Sequence, residues 1–247
     1  MNIFLDMMRE RYGLSVTTLK WIAIIVMAAG HVIIIWSMMQ PLGRLILSIG
    51  HVTPPIMCFF IAEGFHYTRN RMRYARRLLI FAIIGQIPFN FIKYGTIFHF
   101  SIGIASFNMI FSLLLGLCAL WIIKSTLKPV YKIALILLCI PVSALCDWPI
   151  FSLLWVLIFG LNRGSLIRQT IWFSLSVAAL MVSGYVRTGG FISIWMGTLL
   201  FLPLLMLYNG KKASDSTPAW IASKWVFYVF YPLHFLILGF LHYVLGV

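Results

Sequence analysis

The fold class predicted from this sequence is an all-α, polytopic transmembrane bundle of roughly nine spans, N-terminus inside and C-terminus outside. Three observations predict it. The 247 residues are 62% hydrophobic and only 10% charged, whereas a soluble chain is nearer a quarter charged. Apolar runs approaching the ~20 residues that cross a bilayer recur along the whole chain. The basic residues fall almost entirely on one side of the resulting topology, as the positive-inside rule requires.

Taken in order, residues 1–18 read as an interfacial segment. Asp6, Arg9, Glu10 and Arg11 interrupt any signal-peptide core, while Ile3, Phe4, Met7, Met8 and Tyr12 supply an apolar face. The spans then read as 19–39, 45–65, 75–93, 105–123, 130–146, 149–162, 168–186, 190–208 and 222–246. The 149–162 segment is the shortest and fits a tilted or re-entrant helix. Residues 209–219 contain NGKKASDSTP and read as a cytoplasmic linker before the last helix. Otherwise 1–247 forms one transmembrane domain. Of the 19 Lys and Arg, only Arg44, Lys93 and Arg187 fall outside. Adding or dropping a middle span would spoil that asymmetry.

The net charge of +14 is read as basic loops that hold the cytoplasmic face and meet anionic membrane lipid. It is no signal for nucleic acid. Cys58, Cys118, Cys139 and Cys146 lie in or at the end of apolar runs without ligand spacing, so no metal site is expected. Walker and GxGxxG patterns are absent, which removes support for nucleotide hydrolysis and dinucleotide binding.

The intramembrane polar residues carry the functional signal, because such groups are costly in hydrocarbon and usually face a cavity or a partner. His31, His51, Gln86 and Asn90 fall in the outer half of their spans, Asn108 opens its span from the outside, and His234 lies near the middle of its own. Asp147 sits at the outer junction of 130–146 and 149–162, and Arg44 and Arg187 stand at outer ends. Any one histidine alone reads equally well as a packed ring bonded to a carbonyl. Three at similar depth read as general-base chemistry, with His31 or His234 as the base and Asp147 as its orienting carboxylate. Asn108 and Gln86, with Asn90, Arg44 and Arg187, are candidate donors to a developing oxyanion. Their alternative role is helix–helix hydrogen bonding. On the inner side, Arg69, Arg71, Arg73, Arg76 and Arg77 with Glu63 read either as a boundary anchor or as a site for the phosphates of a nucleotide-like cofactor. Pro54-Pro55 reads as a kink.

Several runs resemble a known family. LKWIAIIVMAAGH (19–31), the stretch from IGH at 49 through PP and FFIAEGFHYTRNRMRYARRLLIFAIIGQIPF to 89, FNMIFSLLLGL (107–117), Asp147 and FYPLHFLIL (230–238) are similar to the TraX family of integral membrane proteins. The family includes the F-pilin acetylase, and the resemblance covers about residues 19–242. Relatives usually carry Asp-His in the first helix and Gly-Arg at the start of the second. Here these are Gly30-His31 and Gly50-His51. One reading is that acid and base form an ion pair in relatives and losing both avoids a stranded charge; the other is that catalysis has changed or been lost in this chain. The resemblance implies a membrane acetyltransferase of the bacterial inner membrane, acting in conjugative pilus assembly. Acetyl-CoA would be the cytoplasmic donor, and the N-terminus of a pilin subunit at the outer face would be the acceptor. Three other readings remain: acylation of an extracytoplasmic glycan, a non-catalytic assembly role, and a proton-coupled transporter.

Overall fold

A computed structural model describes residues 3–36, 40–97, 106–188, 195–211, 218–244 and 246. They form helices α1 (Ile3–Tyr12), α2 (Val16–Ile35), α3 (Pro41–Gly50), α4 (Thr53–Tyr67), α5 (Arg71–Tyr94), α6 (Met109–Ile123), α7 (Pro129–Ala144), α8 (Phe151–Leu161) and α9 (Leu166–Thr188). A 3-10 turn, Met196–Leu200, runs into α10 (Phe201–Leu207), and α11 (Pro218–Tyr243) closes the chain. Among the described residues there is no strand, only two isolated bridges. Among the described residues, five segments are long and apolar enough to cross a membrane: Val16–Ile35, Pro41–Tyr67, Arg71–Tyr94, Leu166–Val186 and Trp225–Tyr243. Four apolar helices are shorter, and α8 at 11 residues rises only ~16 Å. The 190–208 expectation begins on residues outside those described.

Side-chain caps set several starts. Ser15 accepts from the Thr18 N–H, Asn70 from Arg73 and Asn108 from Ile110, each satisfying a donor that a helix start leaves orphaned. The expected single helix over 45–65 is instead two. It breaks at His51–Val52 and restarts at Thr53. Proline lacks an N–H and disfavours α conformation in the residue before it, but fits the first turn of a helix. Pro54 and Pro55 therefore start α4 instead of kinking a longer helix.

The chain divides into two compact units: Met1–Ile56 with Val177–His234, and Met57–Ser176 with Phe235–Val247. In the first, α2 lies against α3 through facing glycines. A Cβ on Gly50 would sit 3.2 Å from Gly30 Cα. Gly197 meets the Ser48 carbonyl so closely that any Cβ there would overlap it. Small residues permit this approach where apolar surface alone gives no drive to associate in lipid. Leu14 pairs with Leu207 and Asn209 through the backbone, Val16 donates to Lys211 O, and Arg9 Nε donates to Met206 O. The first residues of the expected linker are thus pinned to the start of the chain.

In the second unit α6 packs on α5, α7 and α8. Gly116 faces Val156 and Gly160 faces Leu120, both partners being fully buried. Trp155, also fully buried, donates to Ser176 Oγ at 2.9 Å.

Candidate functional site

Two polar centres emerge, one in each unit. The first is a histidine pair. His31 on α2 and His234 on α11 approach with ring centroids 5.1 Å apart, and His234 Nε2 lies 3.3 Å from His31 Nδ1. Each ring also places Nδ1 2.9 Å from the carbonyl four residues earlier, Met27 O and Phe230 O respectively. A carbonyl can only accept, so both Nδ1 atoms carry the proton. Both Nε2 atoms then hold lone pairs. The His31 Nδ1–H is shared between Met27 O and His234 Nε2. Any positive charge arriving on His31 is met by a carbonyl and a ring lone pair. Phe230 stacks on His234 at 4.7 Å, and Tyr231 meets it edge-on at 5.8 Å. His234 is buried and His31 half-buried.

His51, which caps α3, follows the same rule. Its Nδ1 donates to Leu47 O at 2.6 Å, and its ring meets Trp195 edge-to-face at 5.0 Å. The Gly30–Gly50 approach brings the residues after each glycine, His31 and His51, to neighbouring points on α2 and α3. Arg44, on α3, is exposed. Arg187 lies in α9, but its side chain is outside the described residues.

The second centre is an amide cluster in the other unit. Asn108 is fully buried. Its Nδ2 donates to Ala82 O (2.8 Å) and to Gln86 Oε1 (3.0 Å), and its backbone N–H also donates to that Oε1 (3.0 Å). Gln86 Nε2 donates to Asn90 Oδ1 (2.7 Å) and Ser106 O (2.8 Å). Each amide nitrogen has two protons, and all four are committed. An oxyanion would have to displace a backbone carbonyl or a neighbouring amide oxygen to reach Gln86 or Asn108. The cluster locks the 106–108 segment to α5. That segment in turn binds the Asp147 corner, where Phe107 N–H donates to Leu145 O and Asp147 N–H to Phe107 O.

Asp147 belongs to the second unit and the histidine pair to the first. Among the described residues, the Met27 and Phe230 carbonyls accept from the two Nδ1–H groups and fix the rings. The Asp147 carboxylate accepts from Trp148 N–H at 3.1 Å, and its own carbonyl accepts from Ser112 Oγ. Burial pushes its pKa up to about 6, against the opposing pull of Lys93 and the Trp148 N–H. The turn is strained, with Trp148 at φ 57° and Ile150 at φ 64°, a region that bulky and β-branched residues rarely enter. Ser143 Oγ helps hold it by accepting from Ile150 N–H.

Sequence reasoning grouped Glu63 with Arg69–Arg77. The structure pairs it with Arg163, at 2.8 Å and 100 residues away, while Tyr67 lies under the Arg163 guanidinium at 4.9 Å. Arg163, Trp195, Phe230, Ser112 and Ser143 were missed as partners. No local pattern in the sequence marks a contact between distant segments. Arg71 lies over Phe65 at 4.3 Å and Arg77 over Tyr74 at 5.3 Å, while Arg69, Arg73 and Arg76 are exposed.

Residues 15–242 match the family described as TraX protein. A relative described as "Probable fimbrial assembly protein FimC, serogroup H1", from Dichelobacter nodosus, is 31% identical over 94% of this chain and 97% of its own length. No solved structure matches the chain at a significant level. On the strength of a match spanning both polar centres and nearly every helix, the chain belongs to the TraX protein family.

Proposed function

We propose that this chain is a nine-span acetyltransferase of the bacterial inner membrane, N-terminus inside, which moves an acetyl group from acetyl-CoA to an amine of a pilus or fimbrial subunit at the outer face. The observation that carries the reading is the His31–His234 pair with both Nδ1 protons fixed by carbonyls. Such a pair presents an unprotonated Nε2 on His31, backed by a second ring able to share its other proton. The family, and the fimbrial assembly role in the relative's description, support the choice of acceptor. The segregation of basic residues supports the orientation.

The chemistry needs one base. The α-amino group has a pKa near 8, so an imidazole suffices to remove its proton. His31 Nε2 takes a proton from the attacking amine as its nitrogen adds to the thioester carbonyl. The C–N bond forms and the tetrahedral centre collapses with loss of the C–S bond. The leaving thiolate recovers the proton from His31 Nε2–H and departs as the free thiol of coenzyme A. Meanwhile His234 Nε2 draws on the His31 Nδ1–H as positive charge develops. Gln86 and Asn108 support the scaffold, since their donors are committed, and Asp147 anchors the corner. For the donor's phosphates, Arg71 and Arg77, whose guanidiniums lie against rings, are the proposed ligands.

The test is the intact mass of the fimbrial or pilin subunit from cells with the gene, without it, and with His31→Gln. The expected result is one acetyl group on the subunit's N-terminus that depends on the gene and on His31. A non-catalytic assembly role, which the relative's description also fits, predicts an unchanged mass and co-purification with the subunit irrespective of His31.

A further inference from the structure

We propose that Arg73 and Arg76, at the start of α5, bind the headgroup of an anionic phospholipid whose acyl chain lies along the exposed face of the same helix. The two faces of α5 are sharply divided. Tyr74, Leu78, Ala82, Gly85, Pro88 and Phe89 are buried. On the opposite side Leu79, Ile80, Ile83, Ile84 and Ile87 are 41–56% exposed. At 100° per residue, Arg76 falls at the centre of the exposed stripe, with Ile80, Ile83 and Ile87 following at i+4, i+7 and i+11. Arg73 lies one turn nearer the helix start on the edge of the same stripe. Arg71 and Arg77 point elsewhere, toward the Phe65 and Tyr74 rings.

The length fits. From Arg76 to Ile87 the helix rises ~16 Å, about half the ~30 Å hydrocarbon core, which is one leaflet. The electrostatics call for an anion. Four arginines occupy the first two turns of α5, which has no acidic residue in its first turn, and they stack on the positive end of the helix macrodipole. The nearest carboxylate along the chain, Glu63, is held by Arg163. Among the described residues no hydrogen bond, ion pair or ring contact engages the Arg73 or Arg76 guanidinium. A phosphate of soluble origin would satisfy the charge but not the apolar stripe directly below it. A phospholipid satisfies both, since guanidinium matches phosphate bidentately. This site is independent of the acetyl-transfer reading.

The experiment uses the full chain purified in neutral detergent, titrated with phosphatidylglycerol or phosphatidylcholine, with retained lipid counted by native mass spectrometry. Wild type is expected to retain phosphatidylglycerol in preference to phosphatidylcholine. The pair Arg73→Gln/Arg76→Gln should weaken phosphatidylglycerol retention roughly 30-fold, about fivefold per arginine. Arg73→Lys/Arg76→Lys should keep part of it, which separates loss of the site from loss of the fold. Lys128→Gln/Arg168→Gln, two exposed basic residues elsewhere in the same unit, should leave it unchanged. Equal loss in that control pair, or wild-type retention by the Gln pair, would overturn the proposal. So would coenzyme A or inorganic phosphate binding that depends on Arg73 and Arg76 while lipid retention does not.

Discussion

Replacing Gln86 with leucine tests whether the amide cluster is scaffold or catalyst. The substitution removes four hydrogen bonds: two accepted by Oε1 and two donated by Nε2. The backbone N–H of fully buried Asn108 then loses its acceptor, at a cost of about 1–3 kcal/mol, and each other lost bond costs about 1 kcal/mol net. Leucine returns about 1–2 kcal/mol of apolar packing. The balance is a loss of about 3 kcal/mol, equivalent to a fall in Tm of roughly 6–12 °C for a chain of this size. Cys58 and Cys146 are buried free thiols, so a thiol-reactive fluorophore reports the unfolding in detergent. Asn108→Ala combined with Gln86→Leu should cost clearly less than the two singles added, because they remove shared bonds. A Gln86→Leu protein with unchanged Tm and abolished acetyl transfer would refute the reasoning and return Gln86 to the oxyanion.

Other expectations follow from single contacts. Gly197→Ala forces a methyl into the Ser48 carbonyl and should abolish stable folding, seen as loss of a monodisperse peak in size-exclusion chromatography. Gly164→Ala, at φ +87° with open space around it, should lose only about 1 kcal/mol in the thiol-unfolding assay. The Glu63–Arg163 pair is partly exposed, at 13% and 38%, so a double-mutant cycle with Glu63→Gln and Arg163→Gln should give a coupling of about 1 kcal/mol or less. Asp147 holds its proton up to about pH 6 when folded and loses it near its ordinary value when unfolded. Between about pH 4 and 6 the native state binds more protons, so its contribution to stability falls as pH rises through that window. Asp147→Asn should flatten the corresponding slope in Tm.

What the sequence carried was local. His31, His51 and His234 announce a site because imidazoles in apolar runs need partners. The caps Ser15, Asn70 and Asn108 went unread, and the expected starts at 19, 75 and 105 miss the helix starts at Val16, Arg71 and Met109. Pro54-Pro55 announced a disturbance but not its form. A kink and a restart look alike until the preceding residues, His51–Val52, are seen to leave the helix. The rest depended on tertiary contacts. Glu63 has five arginines within 14 residues in sequence, yet Arg163 holds it, because the chain brings the turn after α8 back to the end of α4. Asn108 and Gln86 read as donors until each is seen to spend its protons on the other's surroundings. The positive φ at Trp148 and Ile150 had no glycine to mark it.

The most direct measurement is acetyl transfer by the purified full chain from radiolabelled acetyl-CoA to a peptide carrying the subunit's N-terminus, comparing wild type with His31→Gln and His234→Gln. Transfer is expected to be lost with His31→Gln, and reduced with a shifted pH profile in His234→Gln, while both variants keep the wild-type Tm within about 3 °C, the shift of a change of about 1 kcal/mol. Equal transfer by all three proteins, or no transfer by wild type to any amine, would contradict the acetyl-transfer reading.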